Sequence, residues 1–217
     1  MRRRSSIAIW LSGLLAAAAG AAIIDRIAVS VGNRVITETD VDREIEITAL
    51  MNNEKPDFGP ANKRAAAGRM VDQALIRNEL EESRYPPPTA AETAVALEEE
   101  KARFGNAAAY RRALAEHGVT EDDLKARLTW QLMLVRFIDA RFRPGIQIGD
   151  AEILKYFDDH MRAGLIAAHP GQTPSVDAYR AGIEQKLAGQ AADQQMEQWL
   201  NEARRRTHIQ YREDAFQ

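Results

Sequence analysis

The chain has 217 residues, with 29 lysines and arginines against 32 aspartates and glutamates, a formal net charge of −3 and no cysteine. That length suits one domain with a sizeable core, and the charge balance gives no general electrostatic case for binding nucleic acid. The missing cysteines exclude a disulfide framework and a lipid-accepting thiol near the N-terminus.

Met1 to Arg4 supplies a positive n-region, Ile7 to Ala19 is apolar apart from Ser12 and Gly13, and Ala19-Gly20-Ala21 has the small-x-small form of a cleavage site. The pattern predicts a secretory signal over residues 1–21, cut after Ala21 or Ala22, and hence an exported protein. An uncleaved membrane anchor is the alternative, because Ile7 to Ile24 is just long enough to span. Losing the three leader arginines takes the basic count from 29 to 26 against 32 acidic residues, a net charge near −6.

IAVSVGNRVIT, residues 27–37, reads as a hairpin. Ile27, Val29 and Val31 alternate with small or polar residues, and Gly32-Asn33 can turn the chain. A lone hairpin is marginal in water, so it needs a further strand.

A helical region follows. Thr39, with Asp42 three residues on, is the expected cap of a first helix running to about Asn53, broken by the Pro56 to Pro60 stretch. A second helix over Asn62 to Arg84 carries Met70, Leu75, Ile76 and Leu80 on its apolar side and stops at Pro86-Pro87-Pro88. Thr89 caps a third, and Gly105 separates it from a fourth, AAAYRRALAEHG. Thr120 opens a fifth, with acidic residues in its first turn as the helix dipole favours.

This fifth helix has two apolar stripes. Leu124, Leu128, Leu132, Val135, Ile138 and Phe142 form one, expected to be buried; Trp130, Leu134 and Phe137 form a second. A helix apolar over so wide an arc either lies centrally in a bundle or offers its spare stripe to a partner.

Asp150 is the expected cap of a sixth helix, and Arg162 to Ser175, with Pro170, Gly171 and Pro174, reads as a loop. A long helix begins near Val176, its apolar side marked by Tyr179, Ile183, Leu187, Met196, Trp199, Leu200 and Ala203. In THIQYRE, Ile209 and Tyr211 alternate with polar residues and supply one more strand. The expected fold is therefore mainly α: a helical bundle with a small β-sheet formed by the N-terminal hairpin and the C-terminal strand.

No catalytic signature emerges. His117, His160, His169 and His208 are scattered without H-E-x-x-H spacing, Asp158-Asp159-His160 reads as a solvated helix end, and there is no G-x-S-x-G, P-loop or G-x-G-x-x-G. The expectation is no enzyme, no cofactor and no metal site.

The order IAVSVGNRVITETDVD, ALIRNELEE, GVTEDDLKARLTWQLMLVRFID and QIGDAEILKYFDDH resembles the N-terminal module of the SurA family of periplasmic chaperones. AADQQMEQWLNEARRRTHIQYR is similar to that family's closing helix and strand. The resemblance implies a SurA-like domain over residues 22–217, with an N-terminal module 22–161, a loop 162–175 and a closing helix and strand 176–217. It also implies a periplasmic, ATP-independent holdase whose partners are unfolded or extended polypeptides, outer-membrane β-barrel precursors among them, and the outer-membrane assembly machinery. Parvulin-type prolyl isomerase domains usually interrupt such chains, and residues 162–175 are too few to hold one.

Flexible methionine and aromatic side chains suit a surface that engages varied extended chains. The candidates for client binding are Met51, Phe104, Trp130, Met133 and Phe137. A prolyl isomerase and an adaptor for one folded envelope partner are the rival functions.

Overall fold

A computed structural model describes residues 25–217; the expected signal, residues 1–21, lies outside the described residues. Strands β1 (Ile27–Val31) and β2 (Arg34–Thr37) form the hairpin, joined through Gly32 at φ +60°, a conformation costly to any residue with a Cβ. The third strand, β3 (Ile209–Tyr211), pairs antiparallel with β1, so the sheet order is β2-β1-β3. Val29 stands opposite Tyr211 and Val31 opposite Ile209. The fold is thus mainly helical with a small antiparallel sheet that joins the two ends of the described chain, as the alternation in THIQYRE predicts.

Helices α1 (Glu38–Asn52), α2 (Pro60–Ser83), α3 (Ala90–Ala102), α4 (Ala107–Glu116) and α5 (Glu121–Arg141) follow. The cap of α1 is Thr37, not Thr39: its hydroxyl accepts from the Asp40 N–H while the Asp40 carboxylate accepts from the Thr37 N–H. Both threonines fit the Thr-x-x-Asp pattern, and the end of β2 at Thr37 decides between them. The Pro56 to Pro60 stretch separates α1 from α2 as expected, and Pro60 itself starts α2, at the first helical position where a missing N–H costs nothing. Thr89 and Thr120 cap α3 and α5 with reciprocal Glu92 and Asp123 bonds.

The first half of the stretch expected as a loop, residues 162–168, is helical, and the second half, 169–175, is a loop as expected. Helix α6 (Asp150–Phe157) runs through a π turn (Asp158–Arg162) into α7 (Ala163–Ala168), and only then do Pro170, Gly171 and Pro174 take effect. Asp158-Asp159-His160 is consequently not a helix end. Arg162 donates to Asp158 and Lys155 to Asp159, each at 2.7 Å, so both carboxylates have cationic partners within one helical surface. Gly149, not Asp150, caps α6. A short 3-10 turn (Val176–Ala178) precedes α8 (Arg180–Arg206), which therefore begins four residues later than expected.

The main core joins the sheet to α2, the second half of α5 and the second half of α8; Val29, Val31 and Phe137 have no exposed area there. Fully burying a side chain such as Phe137 contributes about 2–3 kcal/mol relative to exposure. A second cluster holds Leu97, Tyr110, Leu124 and Leu128, where α3 and α4 meet the first half of α5. A third packs Ile153 and Phe157 of α6 against Ile183 of α8. The two stripes of α5 thus serve two cores in succession. Val135, expected to be buried, is 57% exposed, because the burying partners change sides along the helix. Among the described residues, no helix is long and apolar enough to cross a membrane.

Candidate functional site

A groove runs between β2, α1, α2 and α5. Its floor is an ion pair: Arg127 Nη1 of α5 donates to both carboxylate oxygens of Glu44 on α1 at 2.8 Å, with Glu44 only 7% exposed. Two charges so far from water hold together because neither can regain its hydration without opening the helix contact. Arg127 Nε, also buried, has no partner.

The walls mix apolar side chains with charged ones. Met70 of α2 lies on one side and Ile47 of α1 near it, in a cavity of about 300 Å³ over the ion pair. Next to it, Leu80, Trp130 and Met133 line a cavity of about 420 Å³ between α2 and α5. A third opening reaches Val35 and Ile36 on β2, with Val35 56% exposed. Strand β2 lies at an edge of the sheet, so among the described residues no strand pairs with its outer backbone groups.

Arg77 borders all three cavities. Its guanidinium carbon stands 4.2 Å from the centre of the Trp130 ring, a cation–π arrangement that covers an indole only 6% exposed. Burial of the guanidinium, followed by the nearby Arg34 charge, lowers its pKa from the ordinary arginine value. An arginine so placed remains a cation at neutral pH.

Of the sequence candidates, the structure brings Trp130 and Met133 together in this groove. Met51 and Phe104 meet elsewhere, half-buried at the junction of α1, α3 and α4, with the Phe104 and Tyr110 rings 5.6 Å apart. Phe137 is a correction: it has no exposed area and packs edge-on against Tyr85, Phe142 and Trp199, so it presents nothing to a client in this conformation. Its turn of α5 faces α8, a partner the helix's own periodicity does not reveal. Sequence reasoning missed Val35, Gln73 and Arg77. Met70 and Leu80 were visible as the apolar side of α2, but nothing separates Arg77 from the other 28 basic residues until α5 is laid beside it.

Among the described residues, no group of three or more histidines, aspartates or glutamates is placed to hold a metal ion. A scan against known family models and a search of curated proteins both found no match to this chain.

Proposed function

We propose that this protein is an exported, ATP-independent holdase of the SurA type that binds extended segments of unfolded envelope proteins, outer-membrane β-barrel precursors in particular. The single observation that carries the reading is the groove in which Met70, Trp130 and Met133 lie beside the open edge of β2. The flexible thioethers accept varied apolar side chains beside the Trp130 ring, most of which Arg77 covers, while an unpaired strand edge offers hydrogen bonds to any backbone. Such contact lowers the concentration of free unfolded chain and so slows aggregation. Barrel precursors suit this chemistry because their alternating apolar strands stay unsatisfied until they close in a membrane. Two further features support the reading. The sheet joins the opening hairpin to the closing strand, as in the chaperone module the sequence resembles, and the connection from α6 to α8 holds only a short helix and a turn where an isomerase would sit.

The test is light scattering from a denatured β-barrel membrane protein diluted into buffer without nucleotide. Equimolar protein is expected to suppress its aggregation more strongly than that of an unrelated soluble protein. Unchanged scattering would count against the proposal.

A further inference from the structure

Nearly every charge on the groove is already committed. Arg34 pairs with Glu81, Arg127 with Glu44, and Arg43 with Glu46 and, at 3.8 Å, Asp123; Asp40 is spent on the Thr37 cap. Among the described residues that leaves Arg77, which makes no ion pair and no side-chain hydrogen bond although it leans on Trp130. Arg77 is therefore the groove's one cation without a bonded partner among the described residues; it stands where the three cavities meet, with the Glu81 and Glu44 carboxylates near enough to act on it. Open space continues from Arg77 both toward Val35 and toward Met133, so an extended chain has room to pass the guanidinium instead of ending there.

We propose that the groove selects client segments in which an internal aspartate or glutamate side chain pairs with Arg77 while an apolar neighbour enters the pocket of Leu80, Trp130 and Met133. This deepens, and rests on, the reading of the groove as the client site. In an extended chain, residues two apart share a face at a separation of about 6.6 Å. The 4.2 Å stacking of Arg77 on Trp130 sets the cation and the pocket side by side on that scale. A carboxylate arriving there replaces no internal partner, so its attraction is not offset by breaking an existing pair. A lysine at the same place would meet a like charge.

The experiment is isothermal titration calorimetry of the purified protein with ten-residue peptides of alternating apolar and polar residues, both ends blocked, carrying Asp, Asn or Lys at the centre. At low salt the Asp peptide is expected to bind about fivefold tighter than the Asn peptide, with Lys weakest. The preference disappears in Arg77→Gln and reverses toward Lys in Arg77→Glu. The Arg77 side chain is open to solvent over part of its surface although its guanidinium lies against Trp130, and the reversal itself requires a folded groove. Equal binding of the Asp and Asn peptides would overturn the inference, as would an Asp preference that survives in Arg77→Gln. Tighter binding of a peptide with a free C-terminus and no internal acid, lost in Arg77→Gln, would overturn it in favour of a terminal carboxylate. If no peptide of any kind binds, it is the client-groove reading that fails, and the inference falls with it.

Discussion

Glu44 and Arg127 face each other from α1 and α5, both carboxylate oxygens 2.8 Å from the same guanidinium nitrogen, and close the groove from below. The pair fixes the spacing of the helices that carry the groove walls. Removing one partner strands the other: Arg127→Ala is expected to destabilise the fold by about 3 kcal/mol, because Glu44 remains buried and unpaired. Replacing both with leucine and methionine should recover most of that loss. Urea denaturation of the three proteins checks the order.

The closure of the sheet makes the C-terminus part of the N-terminal structure. Phe216, 3% exposed, and Ala215, 1% exposed, cover β1 behind the Val29–Tyr211 and Val31–Ile209 pairs. Phe216→Ala is expected to cost about 3 kcal/mol. Deleting Thr207 to Gln217 should also raise hydrogen-exchange rates throughout the hairpin, and unchanged protection there would contradict the pairing.

Met133 and Phe137 lie one turn apart on α5 and should fail differently. Phe137→Ala opens a core cavity and is expected to cost about 3–5 kcal/mol. Met133→Ala, on the groove wall, should cost about 1 kcal/mol or less and weaken client binding instead. Paired stability and binding measurements on the two variants separate these effects.

Tyr110 gives an alkaline signature. Burial, with the Glu121 carboxylate beside it, raises its pKa from 10.0 to about 12. The folded state holds the proton more tightly than the unfolded state, so this contribution is complete below pH 10 and is lost as pH rises toward about 12. Tyr110→Phe should flatten that part of the stability–pH curve while leaving the neutral region sloped as before. An unaltered alkaline limb would contradict the assignment.

At the acid end the helix caps act. The Thr89 backbone N–H, then its hydroxyl, then Arg136 hold Glu92 below its usual carboxylate pKa. For Asp123, burial pushes upward, but bonds from the Thr120 hydroxyl and N–H outweigh it and lower the pKa. Both groups therefore contribute stability above the unfolded carboxylate range that is lost as pH falls through their folded values. Glu92→Gln with Asp123→Asn should make acid unfolding less steep in a pH titration followed by circular dichroism.

Caps and alternation made much of the fold legible in the sequence: Thr89 and Thr120 start their helices as read, and Ile209-Gln210-Tyr211 is the strand that completes the hairpin. Local rules failed where two local signals were equivalent or where the deciding partner was remote. Thr37 and Thr39 both precede an aspartate by three residues, and only the end of β2 chooses Thr37. Residues 158–168 stay helical because a π turn carries the chain on from α6, a continuation that hydropathy does not signal. The site divided in the same way. Met133 was recognisable as a spare apolar surface and stays partly open, whereas Phe137 is covered by α8 and Trp130 by Arg77, which gains meaning only from the indole beneath it.

The most direct test introduces a charge into the groove wall and asks whether holdase activity goes with it. Light scattering from a diluted, denatured barrel protein should be suppressed by the wild type and by Val95→Glu, whose exposed side chain lies on α3 outside the groove. Met133→Glu, at unchanged helicity, should lose most of the suppression. If Met133→Glu protects the client as well as the wild type does, the groove is not where clients bind.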